Sequence, residues 1–434
     1  MKITTRIIAV SAFALNFAVA APIDDIGALS VQGTQVVGAN GQPAQLRGMS
    51  FFWDIYKEAF PYYTADVVNW LAEDWHANLV RAAMAFEENG NTQSGDYEGY
   101  IRNPSYNIQK VETIVDAAIA KGIYVIIDLH SHWANDNTDG QRWNKAAEFF
   151  EYMATKYGQY PNVIYEIYNE PGTDDWVGDY NPVKPYAEFI IPKIRAIDPD
   201  NLIVVGTPGY SSKVEKVLNS PLTGDLTFNM AYSFHFYASE SWHLTNYLPT
   251  AKTVAKQIPL FITECGLSEA SGGGNVDLNM AAQFWQWIDE EKLSWAAWSI
   301  SNKNESSAAL YTNASTSGNW SDNDLTKSGT WLRNKLREQN PEWTPIRGDS
   351  PGPAALPRPV ASTSSFHYAN NTISANLKGQ SKVELLDLQG RTVRTLWNGN
   401  ANGNVTLSVN TKPGLYLIHI QGAGIHETHK VVVK

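Results

Sequence analysis

Two glutamates at the ends of apolar runs are residues of the type that acid–base chemistry on a polar bond requires. Glu170 follows the run 162–169, and the chain breaks directly after it at a Pro-Gly pair. Glu264 ends the run 260–264, and a Cys-Gly pair follows. Glycoside cleavage needs one carboxylic acid that protonates the leaving oxygen and one carboxylate that attacks carbon or activates water. One such glutamate is usually an ion-pair partner or a solvated loop residue, but two in matching positions indicate a carboxylate-pair hydrolase.

Other polar and aromatic side chains fall at the ends of neighbouring apolar runs. In a barrel of parallel strands the C-terminal strand ends form the active site, so we expect these side chains to share one face. Trp298 would present a flat floor to a sugar ring. An ordinary role in the core or in an ion pair is the alternative for each of them. The side chains are Arg81, His130, His132, Asn169, His235, Tyr237 and Trp298.

The two glutamates need different pKa values, because one must be charged and the other must carry a proton. We expect Arg81 to hold Glu264 ionised as the nucleophile, with a hydrogen bond from the Tyr237 hydroxyl. Glu170 is expected in a more apolar setting that keeps it protonated. The amide of Asn169 would bind a sugar hydroxyl. A carboxyl separation of ~5–5.5 Å would mean retention of configuration and ~6.5–9.5 Å inversion, and the sequence leaves this open.

The segment His130-Ser131-His132 raises a second chemistry, since neutral imidazoles hold the metal of many hydrolases. In the sequence, no evident carboxylate or third histidine at a ligand spacing completes such a site. A metal hydrolase is therefore the minor alternative, and we expect neither a metal nor a cofactor.

Strand-like and helix-like runs alternate from about residue 46 to residue 301. Most of the strand-like runs are continuously apolar, which is typical of parallel strands covered on both faces. Eight strands in a β/α alternation predict a (β/α)₈ TIM barrel, with a doubly wound sheet as the alternative. The predicted strands are 46–52, 77–84, 124–130, 163–169, 202–207, 230–237, 260–264 and 295–301.

Further elements are predicted around these strands. The segment 24–45, with an Asn-Gly turn signal at its residues 40 and 41, predicts a hairpin that covers the barrel floor. Apolar stripes at helical spacing predict one helix that ends at Gly122 and another that ends at Gly158. The segment 331–338 predicts a closing helix.

The two ends of the chain differ in composition from its middle. The first residues combine two cationic side chains, an apolar stretch and a small-residue cleavage site, which predicts a signal peptide. A segment rich in proline, glycine and small polar residues predicts a semi-rigid linker, and the short alternating runs after it predict a small β-sandwich-like domain. The predicted limits are 1–20 for the signal peptide, 21–344 for the barrel, 345–360 for the linker and 361–434 for the last domain.

Composition excludes several classes of partner. The chain has 434 residues and a formal net charge of −11, with a pI of about 5.3, so neither nucleic acid nor an anionic membrane is expected as a partner. The apolar stretch near the N-terminus is too short to span a bilayer, and no later segment is long enough. Cys265 is the one cysteine, so the core must stabilise an exported protein without an intrachain disulfide. The 15 Trp and 21 Tyr fit either an aromatic core or faces for sugar rings.

The order of the motifs resembles glycoside hydrolase family five, and most closely its bacterial endo-β-1,4-glucanase (cellulase) branch. The resemblance covers roughly residues 28 to 338. The matching segments are Arg47-Gly48-Met49-Ser50, Asn78-Leu79-Val80-Arg81-Ala82-Ala83-Met84, Asp128-Leu129-His130, Tyr165-Glu166-Ile167-Tyr168-Asn169-Glu170-Pro171, Ser233-Phe234-His235-Phe236-Tyr237, Ile262-Thr263-Glu264 and Trp298-Ser299-Ile300-Ser301-Asn302-Lys303.

This resemblance implies a retaining double displacement on a (β/α)₈ barrel, without a catalytic metal. By match to the family, Glu170 would be the acid/base and Glu264 the nucleophile. Supporting active-site residues would be Arg81, His130, Asn169, His235 and Tyr237. Substrate-binding residues would be Trp53, His130, Tyr237, Ala270, Ser271, Trp298, Lys303 and Glu305.

Two positions depart from the family pattern. Cys265 follows the nucleophile where the family usually has an aromatic residue, and Ala85 stands where relatives often have a tyrosine. The C-terminal part resembles the small β-domains that end some exported bacterial proteins as sorting or attachment signals, and the segments 386–391 and 413–416 match them. A carbohydrate-binding role is its alternative, although Trp397 is its only tryptophan.

The leading hypothesis is a secreted, endo-acting β-1,4-glucanase, extracellular or attached to the cell surface. Its partners would be β-glucan and, through the last domain, export machinery or the cell surface. Mannan, xylan, xyloglucan and mixed-linkage glucan stay open as substrates, because the barrel is reused on them by loop changes. The alternative from another class is a non-catalytic barrel that binds polysaccharide.

Overall fold

A computed structural model describes residues 20–138, 140–340, 367–369, 371–386, 392–412, 414–422 and 425–433. The described residues fall into two compact units, divided between residues 353 and 354. The predicted signal peptide, apart from Ala20, and the predicted linker lie outside the described residues. The domain limits given above therefore stay predictions.

A short helix and a hairpin open the first unit. Helix α1 spans Pro22–Ile26, strand β1 spans Ser30–Gln32 and strand β2 spans Gln35–Val37. The two strands pair antiparallel, and the turn lies at Gly33, which has a φ of 63°. The predicted hairpin is present, with a left-handed glycine in its turn. The predicted Asn-Gly turn is present as well, since Gly41 has a φ of 73° and Val37 forms an antiparallel bridge with Pro43.

Eight parallel strand positions close the predicted barrel. The sheet runs in the order β11-β3-β4-β5-β6-β7-β8-β10, and β10 pairs with β11 to complete the circle. The strand predicted at 230–237 is interrupted, and both of its parts pair with β10. The strands are β3 (Arg47–Phe51), β4 (Leu79–Ala85), β5 (Tyr124–His130), β6 (Val163–Glu166), β7 (Ile203–Val205), β8 (Met230–Ser233), β9 (Phe236–Tyr237), β10 (Leu260–Gly266) and β11 (Trp295–Ile300).

Helices surround the barrel and follow the predicted stripes. Helix α3 ends at Gly122, which has a φ of 69°, as expected for a glycine C-cap. Helix α2 begins at the N-cap Thr64, whose side chain accepts the Val67 N–H. The helices are α2 (Ala65–Glu73), α3 (Pro104–Lys121), α4 (Arg142–Tyr157), α5 (Val183–Arg195), α6 (Pro208–Ser211), α7 (Leu248–Val254), α8 (Leu278–Glu290) and α9 (Lys327–Gln339). None of these described helices is both long and apolar enough to cross a membrane.

Two apolar layers hold the barrel together. The larger layer lies between the strands and the helices. The second fills the lower barrel interior, where strand residues such as Tyr124 and Phe261 share a buried cluster with Ile23, Leu29 and Val36 from the N-terminal segment. The predicted floor is therefore present, and it leaves the C-terminal strand ends free to form a site.

The second unit is an antiparallel sheet with its own buried core. Strand β13 pairs with β12, β14 and β15, and β15 pairs with β16. The apolar positions of β13 alternate along one face, as expected for a half-buried strand. The turn predicted at 388–390 lies outside the described residues. The strands are β12 (His367–Ala369), β13 (Thr372–Leu386), β14 (Thr392–Ser408), β15 (Gly414–Gly422) and β16 (Ile425–Val433).

Candidate active site

Glu170 and Glu264 meet at the C-terminal edge of the barrel. Glu170 lies in the loop after β6, and Glu264 lies within β10. Their carboxylate oxygens and a ring nitrogen of His235 lie within 4.8 Å of one another. A cavity of about 370 Å³ opens beside Glu170 and His235. The structure thus brings together the two glutamates that the sequence singles out.

Arg81 lies beneath the pair and bridges three carboxylates. Its Nη1 donates to Glu264 Oε2 at 2.9 Å, and its Nε donates to Glu166 Oε2 at 2.7 Å. Its Nη2 lies 2.9 Å from Asp128 Oδ2. Burial lowers the pKa of Arg81, but the three carboxylates outweigh burial and raise it above its usual value. Both roles considered for Arg81 are present, since it pairs with core carboxylates and with the proposed nucleophile.

Glu264 has the predicted neighbours, but its pKa is not lowered as expected for a carboxylate that Arg81 holds ionised. The Tyr237 hydroxyl donates to Glu264 Oε1 at 2.7 Å, and Arg81 binds the other oxygen. Burial raises the pKa of Glu264 and the negative charge of Glu170 raises it further, whereas Arg81, His235 and Tyr237 lower it. The pKa moves upward overall, because two buried carboxylates this close repel each other.

Glu170 lies between two histidines rather than in an apolar setting. Its Oε1 is 3.1 Å from His235 Nδ1, and its Oε2 is 3.2 Å from His132 Nε2. Burial raises the pKa of Glu170, but the hydrogen bonds of His132 and His235 outweigh burial and lower it to about 2. The prediction of an apolar setting that keeps Glu170 protonated is wrong, because histidines from the ends of two other strands reach its carboxylate.

His235 is the buried partner of Glu170. Its Nε2 lies 2.8 Å from Thr263 Oγ1 and 3.6 Å from Glu166 Oε1. Burial lowers the pKa of His235, but hydrogen bonds with Glu166 and Glu170 outweigh burial and raise it to about 9. The opposite directions of the two pKa shifts favour an ion pair of His235 and Glu170 in the free protein.

His130 and Trp298 stack on each other at the C-terminal ends of β5 and β11. The two rings stack with centroids 5.1 Å apart and an angle of 8° between their planes, and Trp298 is 5% exposed. His130 Nδ1 lies 2.5 Å from Asp128 Oδ2. Because His130 contacts Asp128 while His132 contacts Glu170, the His-x-His segment does not point to a common ligand.

Asn169 is fully buried next to Glu170. Its Oδ1 accepts a hydrogen bond from Arg81 Nη2 at 2.6 Å, and its Nδ2 lies 3.4 Å from His130 Nε2. The carbonyl oxygen is thus used inside the protein, so only the amide N–H groups remain to bind a sugar hydroxyl. That contact stays a prediction.

Trp53, Lys303 and Glu305, which match substrate-binding positions of the family, lie beside other aromatic and charged side chains. Trp53 meets His130 edge-on with centroids 4.1 Å apart. Lys303 Nζ is 2.6 Å from Glu305 Oε2 and lies 4.8 Å from the centroid of the Phe52 ring. A cationic and an anionic side chain therefore border an aromatic surface, which is an arrangement suited to sugar hydroxyls above an apolar ring face.

Ala270 and Ser271 differ in position. Ala270 lines the cavity together with Glu170. Ser271 is exposed, and its Oγ accepts the N–H of Gly273 within its own loop. The substrate contact predicted for Ser271 is not supported by its present hydrogen bond, and both assignments stay predictions.

The segment 209–211, where the short α6 departs from right-handed helical backbone and forms a loop, is a part of the site that the sequence does not single out. Gly209, Tyr210 and Ser211 have φ values of 62°, 59° and 56°, and left-handed backbone costs ~1–3 kcal/mol at a non-glycine residue. Hydrogen bonds from Tyr210 N to Pro171 O and from Ser211 Oγ to Asn169 O hold the loop against the Glu170 segment. Tyr210 lines the cavity, as do His132, His243 and Tyr247.

Asp128 and Glu166 are further site residues without a predicted role. Both are fully buried and both contact Arg81. Their signal in the sequence is a charged residue inside an otherwise apolar strand. A buried carboxylate needs a paired cation, so such positions point to a buried ion-pair network.

Comparison with known proteins identifies the family. Residues 37–304 match the family described as cellulase (glycosyl hydrolase family 5). The chain belongs to glycosyl hydrolase family 5. Residues 357–434 match a secretion system C-terminal sorting domain, which confirms the sorting-type domain that the sequence suggests.

Family 5 proteins from several bacteria resemble the barrel. An endoglucanase of Clostridium saccharobutylicum is 40% identical over 316 residues, 72% of this chain and 66% of that protein. Endoglucanase A of Evansella cellulosilytica is 42% identical over 299 residues, 69% of this chain and 57% of that protein. The chain thus spans less than two thirds of the length of these two relatives.

Solved structures of family 5 share the fold. A protein from Cytophaga hutchinsonii is 41% identical, with a TM-score of 0.65 over 74% of this chain and 98% of that one. The catalytic domain of Thermobifida fusca endoglucanase Cel5A (E5) is 33% identical, with a TM-score of 0.65 over 73% of this chain and 99% of that one. A variant of the latter domain has been solved in complex with cellotetraose.

Proposed function

We propose that the barrel is an endo-acting, retaining glycoside hydrolase that cleaves β-1,4-glucan, with Glu170 as acid/base and Glu264 as nucleophile. The observation that carries the proposal is the spacing of the two glutamates, whose oxygens lie within 4.8 Å of each other and of His235. Retaining enzymes hold their two carboxyl groups ~5–5.5 Å apart. This gap is too short for the attacking water that an inverting enzyme holds between its carboxyl groups.

In the first step, a carboxylate oxygen of Glu264 attacks the anomeric carbon while Glu170 gives its proton to the glycosidic oxygen. The bond between that carbon and the leaving oxygen breaks, and a glycosyl ester forms on Glu264. Glu170, now ionised, then takes a proton from water, which attacks the same carbon and releases Glu264. Arg81 and the Tyr237 hydroxyl bind Glu264 and so hold it in line for attack.

His235 supplies the proton that Glu170 needs. Its Nδ1 lies 3.1 Å from Glu170 Oε1, so the proton crosses one hydrogen bond. A bound sugar displaces water from the cleft, and the less polar surroundings favour the neutral pair over the ion pair. Glu170 and His235 thus act together as the acid, and either proton position gives the pair the same net charge.

β-1,4-Glucan is the substrate that the comparisons favour. The relatives at 40% and 42% identity are named endoglucanases, and the Thermobifida fusca domain variant binds cellotetraose. The Trp53, Lys303 and Trp298 side chains offer aromatic and polar contacts to such a chain. A panel of cellulose derivatives, mannan, xylan, xyloglucan and mixed-linkage glucan separates this substrate from the alternatives.

Alanine substitution with azide rescue tests the two roles. We expect Glu170→Ala and Glu264→Ala each to lose ~10²–10⁴-fold or more in kcat on carboxymethylcellulose. With an aryl cellobioside, azide should restore turnover by Glu264→Ala as an α-azide and by Glu170→Ala as a β-azide, since azide replaces the nucleophile in one and water in the other. Full activity of either variant, or exchanged azide products, would contradict the assignment. Binding of glucan without turnover by the unaltered protein would favour the non-catalytic barrel.

The proposed location is extracellular or at the cell surface. The match of residues 357–434 to a secretion system sorting domain supports it. The second unit would interact with export or attachment machinery, while the barrel alone would meet the polysaccharide.

A further inference from the structure

His132 lies on the rim of the cavity between two aromatic side chains. Its ring meets Trp53 at 5.5 Å and Tyr210 at 5.8 Å between centroids, edge-on in both cases. Its Nε2 lies 3.2 Å from Glu170 Oε2, and its side chain is 32% exposed. The ring is packed on two sides and reaches the carboxylate with its outer nitrogen.

The backbone that carries His132 is also fixed. Glu87 Oε1 accepts the N–H of His132 at 3.2 Å and the N–H of Trp133 at 3.0 Å. The same oxygen accepts the Ser131 hydroxyl at 2.7 Å. One carboxylate oxygen of the half-buried Glu87 therefore holds three successive residues of the loop, so the imidazole is placed before any substrate arrives.

The two oxygens of Glu170 have unlike histidine partners. His235, on the Oε1 side, is 1% exposed and is held by Thr263. His132, on the Oε2 side, faces the open cavity. During retaining hydrolysis the same carboxyl group must face first the glycosidic oxygen and then a water. A fixed donor on the exposed oxygen keeps the carboxyl plane in one orientation through both steps.

Titratable groups surround both members of this contact. Burial lowers the pKa of His132, but the hydrogen bond and charge of Glu170, with the charges of Glu88 and Glu87, raise it above its usual value. The titratable groups that act on His132 or Glu170 are Glu87, Glu88, Asp128, His130, His235, Tyr237, His243 and Glu264.

We propose that His132 is a positioning residue for the acid/base step, which holds the exposed oxygen of Glu170 toward the leaving-group side of the cleft. The inference rests on the proposed function of Glu170. The proposal predicts that the loss of kcat/KM on substitution of His132 grows with the need of the leaving group for a proton. Substrates whose leaving group departs as a stable anion bypass Glu170 in the first step, and hence bypass His132.

Two substrates separate this role from a structural one. We expect His132→Ala to lower kcat/KM on cellotetraose by about tenfold, a part of the ~10²–10⁴-fold that an acid catalyst supplies. The leaving group of 2,4-dinitrophenyl β-cellobioside departs without protonation. On this substrate the kcat/KM of the same variant should stay within about twofold of that of the unaltered protein. His419→Gln, in β15 of the second unit, is the control for substitution of a histidine.

His132→Gln tests the hydrogen bond. Glutamine keeps an N–H donor, so we expect it to recover part of the cellotetraose rate that His132→Ala loses.

Three results would overturn the proposal. An equal loss on both substrates would mean that His132 acts only through packing. An undiminished cellotetraose rate in His132→Ala would mean that it has no role in the step, and a His132→Gln rate no higher than that of His132→Ala would mean that its N–H donor does not position Glu170. Absence of turnover by the unaltered protein on either substrate would instead contradict the proposed function, which keeps the two failures apart.

Discussion

At the scale of single residues, the acid proton of the proposed reaction is shared between Glu170 and His235. The atoms that exchange it are 3.1 Å apart, and the pKa of His235 lies near 9 while that of Glu170 lies near 2. Glu166 stabilises the charged histidine from the other side. The protonation state of the acid thus depends on buried groups that never touch the substrate.

The pH profile of kcat/KM follows from these shifts. Glu264 must be ionised to attack, and its raised pKa moves the acid limb above the ~4.3 of an ordinary glutamate. The acid pair keeps its proton up to the pKa of His235, so the alkaline limb should fall near pH 9. In His235→Gln the proton must reside on Glu170 alone, and we expect the alkaline limb to move to lower pH. Rates on cellotetraose between pH 4 and 10, at constant ionic strength, provide the measurement.

An alkaline limb that is the same in His235→Gln and in the unaltered protein would contradict the shared proton. The His419→Gln variant again serves as the control. A flat profile across the range would contradict the roles of both glutamates.

The identity of the two glutamates could be predicted from sequence, whereas their pKa order could not. Each stands at the end of an apolar run, and this is visible without coordinates. The order of the pKa values depends on Arg81 in β4, His132 in the loop after β5 and His235 between β8 and β9, which approach only when the barrel closes. A shift of this kind is set by distances of about 3–4 Å, and sequence spacing contains no such distances.

At the scale of elements, the barrel strands were the most predictable feature because parallel strands buried on both faces read as continuous apolar runs. The observed strand Tyr124–His130 has the predicted bounds. The strand predicted at 230–237 is interrupted near His235, because the residues there turn toward Glu170. The left-handed loop 209–211 was unpredictable, since tertiary hydrogen bonds rather than residue preference hold it.

Gly48 is the tightest point of the barrel wall. A Cβ atom at this residue of β3 would lie 1.6 Å from the backbone oxygen of Leu79 in the neighbouring strand. We expect Gly48→Ala to reduce the free energy of unfolding by about 3 kcal/mol or more, because a backbone strand cannot yield as a side chain does. Urea unfolding followed by tryptophan fluorescence measures the change.

Gly273→Ala is the matched control, since its nearest neighbour would be a side-chain oxygen at 3.6 Å. Its free energy of unfolding should stay close to that of the unaltered protein. A Gly48→Ala protein of the same stability as this control would contradict the close approach of β3 and β4.

At the scale of the whole molecule, the two units have separate buried cores. A domain with its own core folds alone. We therefore expect a chain of residues 21–344 to keep kcat/KM on soluble glucan within about twofold of the full chain. A chain of residues 1–344, which keeps the predicted signal peptide but lacks the second unit, should not be exported in a bacterium that has the matching secretion system. Activity assays and cell fractionation test the two parts, and loss of activity in a folded barrel would show that the second unit takes part in turnover.

Cys265 gives the molecule a built-in reporter of opening. It is the one cysteine of the chain, it follows Glu264 directly in β10, and it is 0% exposed. Burial raises the pKa of its thiol well above the usual value, so the folded protein offers thiol reagents almost no thiolate. Labelling then proceeds only as fast as the strand that bears the nucleophile separates from its neighbours. The rate at which a single mass increment appears would show how often β10 separates from its neighbouring strands. The same measurement with a bound oligosaccharide would show how much the sugar slows this separation.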